Sequence, residues 1–207
     1  MKKTLRALFV ALAAGTASAC VNVLPDVAPP SARYTIPPVT FAGEAGAPVN
    51  WSLAIADPTA SRAFDTAQIA LSRAPGQIEY YANGEWADRS TQMVRLALVR
   101  SFENTGRILD VGDSISMPGA DYILRTDLRS FQVHYERGAP VVETAIFAKL
   151  VNRRGKVLAS RLFSQKAPVD RDNVAEVGQA FNAASQDVLR EIVNWTLSAQ
   201  SLEDAAS

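Results

Sequence analysis

The chain of 207 residues contains one cysteine and one histidine. A single cysteine cannot form an intramolecular disulfide or build a cysteine-rich zinc module. A single histidine excludes sites that need two imidazole ligands from one chain, and it restricts acid–base chemistry that depends on histidine. An excess of one charge is also missing, because 21 Lys and Arg residues balance 21 Asp and Glu residues. The composition therefore disfavours most enzyme classes and a nucleic-acid-binding protein.

The first twenty residues have the three-part layout of a secretory signal. Lys2, Lys3 and Arg6 form a cationic start, residues 7–14 form an apolar run, and small residues follow up to Cys20. A membrane-spanning helix needs about 20 apolar residues, so this run is too short to stay in a bilayer. Removal of the signal leaves 18 basic and 21 acidic residues, which predicts a mildly acidic mature chain.

The single cysteine directly follows Ala17-Ser18-Ala19. This arrangement resembles a bacterial lipobox, which implies cleavage between Ala19 and Cys20 and acylation of Cys20, with palmitate among the acyl groups. Several acyl chains anchor a protein stably, whereas one chain binds a membrane only marginally. Ala17 stands where a lipobox usually carries Leu, and Ala17-Ser18-Ala19 also suits ordinary signal peptidase. A plain secreted protein that is cut near Cys20 is therefore the alternative.

Proline marks the stretch between the signal and the domain. Residues 21–48 hold six of the 11 prolines, which predicts an extended spacer. Within it, Arg33-Tyr34-Thr35-Ile36 has strand-forming residues and is a candidate for docking on the domain. The predicted divisions are listed here: a signal peptide at 1–19, a lipidated N-terminus and proline-rich tether at 20–48, one folded domain at 49–199 and a C-terminal tail at 200–207.

Alternating apolar residues predict a series of strands beyond Pro48. The predicted strands lie at residues 51–55, 68–73, 78–82, 108–111, 122–135, 141–151 and 157–163. Ala74-Pro75-Gly76 is a turn signal, and Asn83-Gly84 predicts a type I′ hairpin that brings Tyr81 close to Trp86. The large apolar residues change phase near Arg129-Ser130, which predicts a β-bulge at that point.

Two helices complete the predicted domain. Ser90 is predicted to cap a helix that runs to about Thr105. Asn173 and Glu176 have the spacing of a capping box, and they precede an amphipathic pattern that predicts a helix of about 25 residues. We therefore predict an α+β fold, a single domain in which two long helices pack on a mainly antiparallel β-sheet.

Catalytic and metal-binding patterns are weak. Gly112-Asp113-Ser114-Ile115 resembles the Gly-Asp-Ser-Leu block of a serine hydrolase family, in which Ser114 would be the nucleophile. Such a serine needs an oriented imidazole, and the only histidine, His134, lacks an aspartate three residues before it. The group of Asp170, Asp172 and Glu176 fits no calcium loop. We expect no enzyme activity, cofactor or metal site, and keep a Ser114-dependent hydrolase as a remote alternative.

Aromatic residues are the main binding candidates. Tyr80, Tyr81 and Trp86 cluster in one short segment, and exposed Tyr and Trp are typical of partner-binding surfaces. We predict these three residues as partner-binding residues. The alternative is that alternate members of the group pack into the core.

Residues 69–88, IALSRAPGQIEYYANGEWAD, resemble the ABC-type transport auxiliary lipoprotein family, the PqiC-like proteins. The Ile-x-Tyr-Tyr block of that family matches residues 78–81, and its Trp-Ala-Asp motif matches residues 86–88. Further similarity lies at residues 120–124, 158–163 and 180–183. The resemblance covers about residues 32–197, nearly the whole predicted domain.

The resemblance implies a non-catalytic, periplasm-facing lipoprotein of the bacterial cell envelope. Its role would be that of an auxiliary component of an ABC/MCE-type system that moves lipids between the inner and outer membranes and supports membrane integrity. The implied partners are an MCE-domain protein, the ABC transporter permease and ATPase, the membrane through the lipid anchor, and further copies of the chain in a homo-oligomer. Val21 after Cys20, in place of Asp, favours outer-membrane delivery over inner-membrane retention. The alternative is a periplasmic lipoprotein that carries lipid in an apolar cavity.

We predict that Cys20→Ser moves the protein from the membrane fraction to the soluble fraction. Each buried methylene of an acyl chain contributes about 0.8 kcal/mol to membrane binding, and the variant has no thiol to acylate. Fractionation followed by immunoblotting measures the distribution. Unchanged pelleting of the variant would contradict lipidation at Cys20.

Overall fold

Nine strands and two helices make up the computed structural model over the residues that it describes, 31–41 and 46–198. In chain order they are β1 Ala32–Tyr34, β2 Ser52–Ile55, β3 Thr59–Ala60, β4 Gln68–Ser72, β5 Glu79–Trp86, α1 Ser90–Glu103, β6 Asp110–Asp113, β7 Tyr122–Glu136, β8 Ala139–Asn152, β9 Val157–Pro168 and α2 Val174–Ser198. The strands form one sheet, so the α+β class is confirmed.

The 15-residue strand β7 organises the sheet. Along one edge it pairs with β8 over its whole length in antiparallel register, from Tyr122 with Asn152 to Glu136 with Ala139. Along the other edge, β2, β3 and β4 follow one another and run parallel to β7. Beyond these strands, β6 pairs with β2, and β9 pairs with β8. On the side of β4, β5 pairs with β4 and β1 pairs with β5.

The expectation of a mainly antiparallel sheet is wrong, because the sheet is mixed. Of the eight strand pairings in the described part of the chain, five are parallel and three are antiparallel. Parallel pairing needs a long crossover connection, and the segment that holds β5, α1 and β6 supplies it between β4 and β7. The partner of β2, β3 and β4 is therefore a strand far along the chain.

The two turn signals before α1 have different outcomes. The Ala74-Pro75-Gly76 turn is confirmed, with Gly76 at φ 79° and the amide of Gln77 bonded to the carbonyl of Ala74. The predicted hairpin at Asn83-Gly84 is wrong, because both residues lie inside the continuous strand β5. The β4–β5 register shifts at this point, so the segment is an irregularity of one strand. Gly84 fits there because a Cβ atom would lie 2.6 Å from Cγ1 of Val174.

The predicted bulge in β7 is confirmed, because the β7–β8 register shifts between Leu128 and Ser130. The strand predictions at 141–151 and 157–163 are confirmed as well, and both strands extend farther than predicted. At the β7–β8 turn, Arg137 and Gly138 both have positive φ, at 53° and 85°. That pair of angles is the backbone of a two-residue type I′ turn.

The two helices begin in different ways. Asn173 caps α2 as predicted, since its Oδ1 accepts a hydrogen bond of 3.0 Å from the amide of Glu176. The predicted cap of α1 is wrong, because Arg89 is the N-cap residue and Ser90 already lies in the helix. The hydroxyl of Ser90 donates to the carbonyl of Phe64 at 2.5 Å. Neither described helix is long and apolar enough to cross a membrane.

Both helices pack on the same face of the sheet. Helix α1 lies against β2 and β6, α2 lies against β8 and β9, and the helices contact each other. The core between them and the sheet is a continuous apolar cluster. At its centre, Trp86 of β5 and Phe131 of β7 meet Phe181 of α2, with ring centroids 4.7 to 5.0 Å apart. Aromatic pairs of this kind add about 0.5–1.5 kcal/mol beyond their buried area. We call the opposite, helix-free face of the sheet the open face.

Part of the predicted tether lies within the folded unit. β1 pairs in parallel with β5, and Ile36, Val39 and Phe41 are buried in the core. The backbone of Val39 is bonded at both groups: its amide donates to Oγ of Ser101 at 2.9 Å, and its carbonyl accepts from Nδ2 of Asn104 at 2.8 Å. The folded unit therefore begins well before Pro48. Ala19, Cys20 and the predicted tail at 200–207 lie outside the described residues.

We predict that Gly84→Ala lowers the free energy of unfolding by about 1–3 kcal/mol, because the new methyl group overlaps the branched side chain of Val174. Gly119→Ala is the matched control, since a Cβ atom there meets nothing within 4 Å. Urea denaturation of both variants measures the effect. Equal stability of the two variants would contradict the packing of β5 against the start of α2.

Candidate partner-binding surface

The predicted partner-binding residues lie on β5, and the strand separates them. Successive side chains of a strand point to opposite faces. Tyr80 pairs with Ala70 of β4 and lies on the open face, where it is 36% exposed. Its hydroxyl donates to the carbonyl of Ala63 at 3.4 Å. Tyr81 lies on the helix side and packs against the edge of the core.

Trp86 does not lie on the predicted partner-binding surface. Its side chain is 2% exposed and lies between Phe131 and Phe181. The irregularity at residues 83–84 brings Trp86 to the same face as Tyr81 although the two residues are five positions apart. A side chain that is enclosed in the core cannot contact a partner, so the prediction for Trp86 is corrected. The structure thus leaves Tyr80 and its exposed neighbour Ile78 on the surface.

Tyr81 belongs to a cluster that connects the sheet to the start of α2. The hydroxyls of Tyr81 and Tyr135 donate to the two carboxylate oxygens of Asp172 at 2.8 and 2.6 Å. The guanidinium of Arg73 lies 4.7 Å from the ring centroid of Tyr135, 4.0 Å from Asp172 and 3.6 Å from Glu79. We call Arg73, Glu79, Tyr81, Tyr135 and Asp172 the tyrosine–aspartate cluster.

The hydrogen bonds of this cluster set its protonation. The hydroxyl of Tyr135 lowers the pKa of Asp172 below its usual range, and the hydroxyl of Tyr81 and the charge of Arg73 act in the same direction against partial burial. The pKa of Tyr81 is strongly raised, first by burial and then by the hydrogen bond to Asp172. Both tyrosines are therefore neutral donors at neutral pH, and Asp172 is an anionic acceptor.

Sequence reasoning did not find this cluster as a unit. The sequence places Asp172 in a group that fits no calcium loop and Tyr135 at the end of a predicted strand, and it gives no reason to connect them. Tyr81 and Asp172 are 91 residues apart, and Tyr135 and Asp172 are 37 residues apart. No local spacing can indicate a contact over such separations. Among the described residues, no group of three or more His, Asp or Glu residues could hold a metal ion.

The residues of the hydrolase alternative lie far apart. Ser114 follows β6, whose last residue, Asp113, is level with Leu124 at the start of β7. His134 lies near the far end of β7, roughly 30 Å away at about 3.3 Å per residue. Its Nε2 is 2.8 Å from Glu136. Ser114 and His134 cannot form a nucleophile–base pair in this structure.

The carboxylates of Asp113 and Glu136 form the local hydrogen bonds near Ser114 and His134, respectively. Oδ1 of Asp113 accepts hydrogen bonds of 2.9 Å from the amides of Ile115 and Ser116, so the Gly-Asp-Ser block is a turn stabilised by an aspartate. Lys166, first, and then His134 donate to Glu136 and lower the pKa of that carboxyl to about 2. The histidine therefore lies in an exposed charged group at the sheet end.

We predict that Asp172→Asn destabilises the protein at pH 7 by about 0.5–1 kcal/mol, because one of the two tyrosines loses its acceptor at a partly exposed site. The pKa of Asp172 is lowered by folding, so its contribution is complete above the pKa of the unfolded carboxyl and is lost as the pH falls through the folded value. Urea midpoints measured between pH 7 and pH 2 should therefore converge for wild type and variant in acid. Asp170→Asn, at an exposed neighbouring aspartate, is the control. A constant difference at all pH values would contradict the ionic role of Asp172.

Comparison with known proteins identifies relatives over most of the described domain. The model of the family described as "ABC-type transport auxiliary lipoprotein component" matches residues 34–193. A curated relative, an uncharacterized protein of Bradyrhizobium diazoefficiens, is 33% identical over 161 residues. The match covers 75% of this chain and 42% of that protein, so the chain spans less than half the length of this relative.

Solved structures share the fold. The crystal structure of protein XCC0632 from Xanthomonas campestris has a TM-score of 0.75 and 30% identity, and the match covers 84% of this chain and 98% of that chain. The hypothetical protein CT253 from Chlamydia trachomatis has a TM-score of 0.51 at 6% identity over 72% of this chain and 96% of that chain, which is a likeness of fold alone.

The arrangement of the site also fits a binding role more closely than a catalytic one. The polar side chains of the tyrosine–aspartate cluster are engaged with one another, and the aromatic Tyr80 and the aliphatic Ile78 are exposed beside them. The description of the matched family is that of lipoproteins that are auxiliary components of ABC-type transport. From the match to residues 34–193, the chain belongs to the family of ABC-type transport auxiliary lipoprotein components.

Proposed function

We propose that the protein is a non-catalytic lipoprotein subunit of an ABC/MCE-type system that moves lipids between the inner and outer membranes and supports membrane integrity. The observation that carries the proposal is the family match over residues 34–193. In this role the acylated Cys20 anchors the chain, the residues that follow set its reach, and the folded domain docks on the end of an MCE-domain channel. The permease and ATPase subunits use the ATP.

The proposed docking surface is the exposed part of β5 together with Ile78, which directly precedes it. Tyr80 is 36% exposed on β5, a strand whose other large residues pack inward, and Ile78, which lies just before the strand, is 39% exposed. Aromatic residues beside aliphatic ones are the usual centre of a protein interface. The hydrogen bonds of Tyr81 and Tyr135 to Asp172 hold this strand against β7 and α2, which presents Tyr80 on a rigid support.

The filled interior argues against the alternative of a lipid-carrying lipoprotein. Five large aromatic side chains, each at most 2% exposed, fill the space between the sheet and the helices: Trp86, Phe102, Phe131, Phe163 and Phe181. An enclosed lipid chain needs an apolar cavity of several hundred Å³. Docking, which uses the surface, therefore fits the described domain better than transport of lipid through its core.

The proposed location is the outer membrane, with the domain in the periplasm. Val21 follows Cys20 in place of Asp, which supports outer-membrane delivery under the lipoprotein sorting rule of enteric bacteria. With its anchor in the outer membrane and a partner that spans the periplasm from the inner membrane, this subunit would lie at the receiving end of the channel. Assembly of several copies around that end is part of the proposal.

The test is crosslinking in intact cells followed by purification of the tagged full chain from membranes. We expect an MCE-domain protein and ABC transporter subunits among the captured proteins. Capture of neither, from protein that is folded and membrane-bound, would contradict the transport role.

A second experiment tests the docking surface. The double substitution Ile78→Ala and Tyr80→Ala should reduce capture of the MCE-domain protein roughly tenfold or more, as expected for central interface residues. Leu109→Ala is the matched control, because Leu109 is 68% exposed and lies before β6, away from β5. Equal capture by the two variants would place the interface elsewhere on the domain.

A further inference from the structure

The open face of the sheet carries a cleft of about 460 Å³ over the middle of β7 and β8. One wall is formed by the segment between β2 and β3, and the other by the hairpin between β8 and β9. Three cationic side chains line it, those of Arg125, Arg129 and Lys149. Two acidic side chains, Asp57 and Asp127, also reach it.

The two central cations face each other directly. The antiparallel register pairs Arg125 of β7 with Lys149 of β8, and both side chains are exposed. Directly opposite residues have Cβ atoms about 4.5–5.5 Å apart, and like charges at that distance lower stability. In the described part of the chain, neither Arg125 nor Lys149 forms an ion pair. The fold thus carries a repulsive pair at the centre of the cleft.

The acidic groups of the cleft do not relieve this repulsion, because each has another cation. Asp127 pairs with Arg129 at 2.8 Å. Asp57 pairs with Arg95 of α1 at 3.1 Å. The charge of Arg125 and Lys149 therefore stays uncompensated, and the cleft is complementary to an anion that reaches both side chains.

Apolar surface lies beside the cationic side chains of the cleft. Arg129 and Lys149 each lie 5.5 Å from the ring centroid of Phe147. Val157, at the edge of the cleft, is 50% exposed, and Leu162, the register partner of Phe147, is 54% exposed. Exposed aliphatic side chains next to unpaired cations fit a ligand that has a charged group and an apolar part.

We propose that this cleft binds an amphiphile that carries a terminal phosphate group, a phosphate monoester. The phosphate lies between Arg125 and Lys149, where the fork of the guanidinium binds two oxygens and the ammonium binds a third. The apolar part lies on Phe147, Val157 and Leu162. Phosphate is the anion that fits, because it offers several acceptor oxygens and enough charge to neutralise both cations.

The test is calorimetric titration of the full chain carrying Cys20→Ser, purified without detergent. The probes are dihexanoyl phosphatidic acid, dihexanoyl phosphatidylcholine and inorganic phosphate, each below its aggregation concentration. We expect phosphatidic acid to bind at least tenfold more tightly than the other two, the equivalent of one good charge-assisted hydrogen bond or more. Equal binding of phosphatidylcholine would overturn the role of the cations. Equal binding of inorganic phosphate would overturn the amphiphile, and no binding of any probe would overturn the site.

Two double variants test whether Arg125 and Lys149 form the binding site. Arg125→Gln with Lys149→Gln should weaken phosphatidic acid binding at least tenfold. Arg62→Gln with Arg100→Gln removes the same charge at two exposed arginines outside the cleft and should leave binding within about twofold of wild type. Equal losses in the two double variants would reduce the effect to net charge and overturn the assignment.

Charge reversal separates binding from folding. Arg125→Glu places opposite charges on the β7–β8 pair, so the thermal midpoint should rise while phosphatidic acid binding is lost. Unchanged binding in this more stable variant would overturn the proposal. The inference is independent of the docking function, because purified protein without any transport partner is sufficient for every measurement.

Discussion

Pairing of β7 along both of its edges is the interaction on which the rest of the structure depends. One edge holds β8 along its full length, and the other holds β2, β3 and β4 in succession. Each backbone hydrogen bond contributes only about 0.5–1.5 kcal/mol net, but four of the eight described strand pairings involve this one strand. The three short strands, of which β3 has two residues, could not form a sheet without this common partner.

The same strand also divides the domain into two chemically different faces. Leu124, Leu128 and Phe131 of β7 are buried toward the helices, whereas Arg125 and Asp127 line the open face. The bulge between Leu128 and Ser130 keeps this division along the strand, because it corrects the phase of the side chains without ending the pairing. Both helices then cover one face only. The domain therefore joins a rigid, filled interior to a broad, polar sheet surface that is available for binding.

Features determined by local pattern were predictable from the sequence. The period of α2 and its Asn173 cap, the strands β8 and β9 and the phase change at Arg129-Ser130 depend on neighbouring residues, and the sequence predicts all of them. Features determined by distant partners were not. Asn83-Gly84 has the composition of a turn, but packing of Val174 and Tyr34 against Gly84 keeps β5 continuous.

The candidate site divides in the same way. The composition of the segment predicts Tyr80, Tyr81 and Trp86 as binding residues, and of these Tyr80 is exposed and Trp86 is buried. The burial of Trp86 depends on Phe131 and Phe181, and the cluster around Asp172 depends on β5, β7 and the segment before α2 meeting at one place. The parallel pairing of β2, β3 and β4 with β7 likewise has no signature within those short strands.

The packing and hydrogen bonding of residues 32–41 within the domain have a mechanical consequence. In the proposed function, the subunit is held by a membrane at one end and by a partner at the other, and force passes through the chain that enters its fold. That chain enters through β1, whose hydrogen bonds to β5 are arranged in parallel register. A pull along the axis of β1 loads these bonds together, in shear, and not one after another as in the peeling of a hairpin. Beyond β1, the buried Ile36, Val39 and Phe41 and the backbone bonds to Ser101 and Asn104 form a second point of attachment. The domain can therefore bear tension at its N-terminal strand β1 while the sheet and its open face keep their shape.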